Sequence, residues 1–248
     1  MRPLLFDAFG VPLYTWGLAT AVAFLMVVWL SHRLATVENV NARPIGDLLF
    51  YGSILGLLGA RGMYFATHSD ELLSWMVFIN PRIGGASMYG ALLFILPFFF
   101  VYCRTAGCNT KQIADIFAPC LAVGLTIHRI GCLGAGCCYG SVSDVPWAIW
   151  LHGAWRHPSQ LYEALPLAIA AFVLLLRYRK KGHHGEIVWL FACIYAPIRF
   201  VGEWFRASPN RGVIVEDLLT LPQLLTVFAW FIAWLWLRGP YSDENVNG

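Results

Sequence analysis

Charge is what this chain has least of. Asp, Glu, Lys and Arg together make up 12% of 248 residues, about half the share usual in a soluble globular domain. So little charge excludes an ordinary water-soluble fold. The 58% hydrophobic and 15% aromatic content points instead to an integral membrane protein. Met1 to Gly10 lacks the basic start, apolar core and small-residue cleavage site of a removable signal peptide, so the first apolar segment is expected to serve as the membrane signal. The net charge of +3 is dispersed, with no basic stripe interleaved with aromatics, which excludes nucleic acid as a partner.

Apolar runs of the length that crosses a bilayer, about 20 residues, fall near 12–30, 47–66, 84–103, 112–133, 160–176, 185–205 and 217–237. The expected fold is therefore all-α: a single membrane domain over 1–248, built as a bundle of seven transmembrane helices with short interfacial segments. Tyr14, Trp16, Trp29, Trp147, Trp150, Trp155, Tyr178, Trp234 and Trp236 gather at segment ends, where amphipathic rings meet the headgroup layer. Leu72 to Ile79, beside Asp70 and Glu71, is too short to cross and is expected to lie in the interface plane, as is Pro146 to Trp155.

Loop cations set the orientation. With the N-terminus outside, nine fall in the cytoplasm (Arg33, Arg43, Arg104, Lys111, Arg177, Arg179, Lys180, Lys181, Arg238) and five outside (Arg2, Arg82, Arg156, Arg206, Arg211). That asymmetry favours N-out and C-in. The cluster Arg177 to His184 reads as a cytoplasmic anchor on anionic lipid heads.

Arg61, Arg129 and Arg199 lie inside apolar segments. One such arginine could snorkel or pair with a carboxylate, as Arg199 can with Glu203 one turn on. Three, with Glu203 and Arg206 at the end of one helix, point to an interior polar pocket for an anion. A guanidinium suits phosphate because its planar fork makes paired hydrogen bonds and stays charged. In a membrane that phosphate is carried by phospholipid.

The densest chemistry lies in His128 to Gly140, HRIGCLGAGCCYG. Cys132, Cys137 and Cys138 have three open readings: small residues packed among Gly131, Gly134, Gly136 and Gly140; thiol chemistry or a disulfide; or soft ligands to a metal together with His128. Their spacing is no familiar zinc pattern, and no metal or cofactor is assigned. Cys103, Cys108, Cys120 and Cys193 share no spacing and read as packing residues. Asp115 reads as a packing feature or as a partner of a buried arginine. The LTLPQLL run reads as a proline-interrupted stretch of the last helix, and Pro97, Pro119, Pro166 and Pro197 as kinks.

Six pieces in order, YTWGL (Tyr14 to Leu18), LGARGMY (Leu58 to Tyr64), GGASMYG (Gly84 to Gly90), HRIGC with YG (His128 to Cys132, Tyr139, Gly140), RHPSQLYEA (Arg156 to Ala164) and RFVGEWFR (Arg199 to Arg206), together resemble the prolipoprotein diacylglyceryl transferases of the bacterial inner membrane. The resemblance implies seven spans with the N-terminus outside. It implies transfer of a diacylglyceryl group from phosphatidylglycerol to the lipobox cysteine thiol of a preprotein, with glycerol phosphate leaving. It also implies that Arg129 and Arg199 clamp the phosphate, and that Arg61, Glu203 and Arg206 support the headgroup site. His157, Gln160, Tyr162 and Glu163 would shape the pocket mouth, and Tyr14, Cys132 and Gly140 would complete the substrate contacts.

Four positions depart from the family pattern. Tyr89 stands where a histidine is usual, Cys132 where an asparagine is, Cys137 where an acidic residue is common, and His128 where glycine is typical. A phenol is a poor base at neutral pH, so His128 or His157 becomes the expected proton acceptor and Tyr89 its departed counterpart in the catalytic set. A divergent relative with another thiol acceptor, or a non-catalytic lipid- or anion-binding membrane protein, stays open as the alternative.

Overall fold

The computed structural model describes residues 4–8, 11–67, 85, 87–207, 213–215 and 219–238. The interfacial segment expected at Leu72 to Ile79, the cations Arg2, Arg82 and Arg211, and Gly84 and Ala86 of the GGASMYG run lie outside these residues. Seven helices occupy the described chain: α1 Thr15–Val37, α2 Ala42–Thr67, α3 Met88–Thr105, α4 Thr110–Ala135, α5 Ser159–Tyr178, α6 Glu186–Trp204 and α7 Leu221–Arg238. Each overlaps one expected apolar segment. The first six are long and apolar enough to cross a bilayer, and α7 is apolar through Thr226–Trp236. A helix satisfies every backbone polar group internally, which hydrocarbon demands. Hydroxyls within the helices do the same, Thr20 donating to the Trp16 carbonyl and Thr126 to that of Ala122, each at 2.8 Å. Large apolar side chains on the outer faces, such as Leu25, Leu57, Leu93, Ile169 and Phe228, are more than half exposed, as lipid-facing side chains are.

Three two-stranded antiparallel hairpins accompany the helices: β1 Leu4–Ala8 with β2 Val11–Tyr14, β3 Ile149–Leu151 with β4 Ala154–Arg156, and β5 Val213–Val215 with β6 Leu219–Thr220. The second occupies the stretch assigned to the interface. His152 (φ 48°) and Gly153 (φ 77°) form its tip, and two successive positive φ angles give the turn twist that a tight hairpin needs.

Three helices end in one way. Asn39, Gly107 and Gly136 follow α1, α3 and α4 with positive φ. In each case the next amide reaches back five residues: Val40 to Ala35 O, Cys108 to Cys103 O and Cys137 to Cys132 O, at 2.9–3.1 Å. This left-handed termination satisfies the last carbonyls and reverses the chain.

The backbone divides into two compact units, Met1–Leu30 with Ala114–Gly248, and Ser31–Ile113. In the second unit, α2 and α3 meet glycine on glycine. A Cβ on Gly59 would strike the Gly90 carbonyl, and one on Gly90 the Gly59 carbonyl and Met63. Small residues permit the close approach that holds membrane helices together, and here they join the LGARGMY and GGASMYG pieces. The Ser87 amide donates to Ala60 O at 3.0 Å, and Arg61 Nη1 to Gly85 O at 3.0 Å. Tyr102 donates to Asp47 Oδ2 at 2.6 Å.

In the first unit, the start of α1 packs on the end of α4. A Cβ on Gly134 would meet Thr15 Cγ2 at 2.6 Å, and one on Gly131 would strike Ala19. Of the two readings of Asp115, packing feature or arginine partner, the structure favours the packing role, with Lys181 and not an arginine as its cation. Its carboxylate accepts the amides of Gly185 (2.8 Å), Ile187 and Val188 (3.0 Å each) and lies 3.3 Å from Lys181 Nζ. It thus caps α6 from a different helix, where a negative charge complements the helix dipole. Two cations of the anchor cluster are consequently committed to partners within the chain, Lys181 to buried Asp115 and Arg177, still exposed, to Glu186 at 2.6 Å. The LTLPQLL run is also a correction, because Pro222 is the second residue of α7 and not a break within it. Thr220 donates through its amide and hydroxyl to Gln223 Oε1 at 2.9 and 3.2 Å, a capping box that starts the helix. Pro97, Pro119, Pro166 and Pro197 lie inside α3, α4, α5 and α6.

Candidate active site

Polar side chains on α4, α5 and α6 converge in the first unit. On α5, Ser159, Gln160 and Glu163 are each 1% exposed; on α6, Arg199 and Glu203, four residues apart, are 5% and 3% exposed. The four-residue spacing places the α6 pair on one helical stripe. Arg199 Nη1 lies 2.7 Å from Glu203 Oε2 and 3.7 Å from Glu163 Oε1. Arg129 Nη2, from α4, lies 2.7 Å from Glu163 Oε2, and Arg206 Nη1 lies 3.5 Å from Glu203 Oε2. Expected at the pocket mouth, Glu163 is instead the buried bridge between the two central arginines.

Three guanidinium groups against two carboxylates leave one formal positive charge. Burying ions is costly unless they are well paired, so this imbalance favours a monoanion such as a phosphodiester. The approach angles also leave Arg199 Nη1 and Glu163 Oε2 without a conventional hydrogen bond, and Gln160 Oε1 is buried without a partner. Polar capacity of that kind inside a helical bundle is what an incoming headgroup can use.

The segment 139–142 holds the far side of the site. Its strand-like chain is stitched on one edge to 156–157, with the Gly140 amide to His157 O at 3.1 Å and the His157 amide to Ser141 O at 3.0 Å. On the other edge it is stitched to 205–207, with the Ser141 amide to Phe205 O at 3.0 Å and the Ala207 amide to Tyr139 O at 3.1 Å. Backbone approaches Gly140 from both sides. A Cβ there would strike the His157 carbonyl and lie 2.8 Å from that of Phe205. Gly140 therefore positions Arg206 through the backbone. Arg156 braces the same loop, its guanidinium 4.7 Å from the Tyr139 ring centre and its Nε donating to Leu151 O at 3.1 Å.

His157 and Tyr162 face each other, Nδ1 to hydroxyl, at 3.0 Å, Trp147 donates to the same hydroxyl at 2.7 Å, and Phe205 closes an aromatic cluster on both rings. In the sequence Trp147 reads as an interface ring and not as a site residue, and Phe205 lies unremarked inside the RFVGEWFR piece. Tyr14 is half exposed at the end of β2. Arg61 and Tyr89 belong to the second unit, where Arg61 ties the chain before α3 to α2.

The left-handed termination of α4 folds Cys137 and Cys138 back over Cys132, and the three sulfurs lie within 4.8 Å of one another. All seven cysteines are free thiols. Gln160 Nε2 donates to Cys137 O at 2.7 Å and Ser159 Oγ to Cys138 O at 2.8 Å, so α5 fixes both carbonyls. Cys138 has φ 56°, uncommon for a residue with a side chain. Its thiol is held well below the ordinary cysteine range, first by hydrogen bonds from the Cys132 and Cys137 thiols and then, against burial, by the charges of Arg206 and Arg129. His128 Nε2 is 3.6 Å from Cys132 Sγ, and its ring meets Trp16 edge to face at 5.9 Å.

Taken over its whole length, the chain has counterparts among known proteins. The sequence model described as prolipoprotein diacylglyceryl transferase matches residues 3–238. The phosphatidylglycerol–prolipoprotein diacylglyceryl transferase of Chromohalobacter salexigens is 35% identical over 241 residues, covering 92% of this chain and 90% of that protein. The proteins of that name from Campylobacter curvus and Legionella pneumophila are 32% and 31% identical, covering 96% and 95% of this chain and 95% and 96% of their own lengths. Matched by that model over nearly its whole length, and at 30% identity or more by relatives it covers almost end to end, the chain belongs to the prolipoprotein diacylglyceryl transferase family.

Proposed function

We infer that this chain transfers the diacylglyceryl group of phosphatidylglycerol to the lipobox cysteine thiol of a preprotein, releasing glycerol phosphate. The observation that carries the inference is the network of buried Arg199, Glu163 and Glu203 with half-buried Arg129 and Arg206, one positive charge in excess. The relatives' name supplies the lipid and the acceptor. In the reaction the acceptor sulfur attacks a glycerol carbon, the carbon–oxygen bond to phosphate breaks, and negative charge grows on the departing phosphate. Arg129 and Arg199, already held in place, meet that charge with no further reorganisation. Arg206 and Glu203 extend the headgroup contact. Gln160, with Cys132 near the end of α4 and Gly140 in the loop that follows, lines the approach, as does Tyr14. His157 and Tyr162 orient the aromatic wall. His128, and not Tyr89, is assigned the thiol proton, because imidazole titrates near neutral pH.

The resemblance supports reading the chain as one domain in the bacterial inner membrane, and the distribution of loop cations supports an outer N-terminus and a cytoplasmic C-terminus. The test is thioether formation on a lipobox peptide by the purified chain in phosphatidylglycerol vesicles, read by mass spectrometry. Product with phosphatidylglycerol but not with phosphatidylcholine is expected. Lipid binding without product would instead favour the non-catalytic reading.

A further inference from the structure

We propose that Cys132, Cys137 and Cys138 form a three-thiolate site for one zinc-class ion whose fourth coordination position takes the acceptor thiol. The metal site stands on the geometry alone; the occupant of the fourth position rests on the function inferred above. Thiolates around tetrahedral zinc, each at about 2.3 Å, lie about 3.8 Å apart, and the three sulfurs here are already within 4.8 Å of one another. The backbone that brings them together is fixed at three points: the reversal after α4, the bond from Gln160 to the Cys137 carbonyl and the bond from Ser159 to the Cys138 carbonyl. The site is therefore assembled before any ion arrives. Three sulfurs select soft or borderline metals over magnesium or calcium.

The group within mutual reach, among the described residues, is these three thiols. His128 approaches Cys132 alone, at 3.6 Å. Closed structural zinc sites have four protein ligands, whereas sites that work on a substrate have three and keep one position open. A thiol that coordinates such an ion is deprotonated outright, which bears on a chain with Tyr89 in place of a histidine. The acceptor thiol binds as thiolate and its proton goes to His128, beside the site. A sulfur electron pair forms the carbon–sulfur bond, the carbon–oxygen bond breaks, and its electron pair leaves with glycerol phosphate at Arg129 and Arg199. The neutral thioether is a weaker ligand and departs. No redox change occurs.

The full chain, purified in detergent, reduced and stripped with chelator, is titrated with zinc alone and with cobalt(II) alone. One ion per chain is expected, with nanomolar or tighter zinc affinity, and zinc should shield Cys132, Cys137 and Cys138 together from alkylation while Cys193 labels as before. Because shielding is read on the unaltered chain, it does not depend on variants folding. Each of Cys132→Ser, Cys137→Ser and Cys138→Ser should weaken zinc by at least about 100-fold, since even outer-shell changes can cost up to that; His128→Gln should leave one ion per chain. A lipobox peptide with cysteine should alter the cobalt absorption, and one with serine should not.

Failure to take up zinc, a disulfide among the three sulfurs in place of metal uptake, or a serine variant that binds as tightly overturns the metal site, whatever the activity. Loss of the ion in His128→Gln, or an unchanged cobalt spectrum with the cysteine peptide, overturns the open position. Zinc uptake with no thioether product from any lipid refutes the inferred function and with it the acceptor's role, and leaves the metal site standing.

Discussion

Replacing Arg199 by lysine separates a phosphate clamp from a generic positive charge. Arg199 is 5% exposed, and one nitrogen, Nη1, lies 2.7 Å from Glu203 and 3.7 Å from Glu163. Its remaining donors are what a phosphate would use. Lysine keeps the charge but carries one compact ammonium, which can satisfy a carboxylate or a phosphate oxygen and not the planar pair. Loss of a preorganised donor to developing negative charge costs about 3–4 kcal/mol of barrier, a 100- to 1000-fold fall in rate. The assay is initial-rate thioether formation on a lipobox peptide in phosphatidylglycerol vesicles, with folding checked by thermal melting in detergent. The fall should appear in kcat, because an interaction made only in the transition state lowers kcat and kcat/KM together. Arg129→Lys should behave alike. Since both arginines converge on Glu163, the double variant should lose less than the product of the single losses. A near-native rate in either lysine variant, or a change confined to KM, refutes the clamp.

Asp115→Asn should lower stability by on the order of 3 kcal/mol, because it strips the cap of α6 and leaves Lys181 without its charge partner; a shift in thermal midpoint measures it. Gly140→Ala should cost about 1–3 kcal/mol by overpacking and lower activity further by displacing Arg206, since backbone carbonyls occupy the Cβ position. His128→Gln is expected to slow thioether formation more than Tyr89→Phe does, and equal rates would remove His128 from the proton step. A reporter fused after Gly248 should behave as cytoplasmic. One inserted at Gly153, the hairpin tip with open space around its Cα, should behave as external, and the reverse pattern would invert the proposed orientation.

Helices were legible in the sequence because a bilayer imposes their length and forbids polar backbone between them. All seven apolar runs became helices, and the third and seventh begin a few residues later than hydropathy suggests. Their starts are set by local chemistry, for α7 the Thr220–Gln223 capping box, to which a hydrophobicity window is blind. The arginines of the candidate site were legible for the same energetic reason, since a buried cation in an apolar run is costly and so is kept for a purpose. Pairing was not. Glu163 sits 34 positions from Arg129 and 36 from Arg199 in the chain, and no periodicity links residues on three different helices. Asp115 could be read from the sequence as a packing feature or as a partner for those arginines, and it caps α6, because a carboxylate serves whichever donors the packing delivers.

By itself the sequence determined that this is a helical membrane protein with a few expensive charges and a cysteine-rich turn, since composition and run length report directly on the solvent a chain must live in. Tertiary structure alone decided that Glu163 joins two arginines and that Gly140 carries Arg206 through a backbone bridge. It also decided that three thiols spread over seven positions gather within 4.8 Å. Those outcomes depend on a left-handed reversal after Ala135 and on helix contacts distant in sequence, where the controlling quantity is the space left between backbones and not the preference of any one residue.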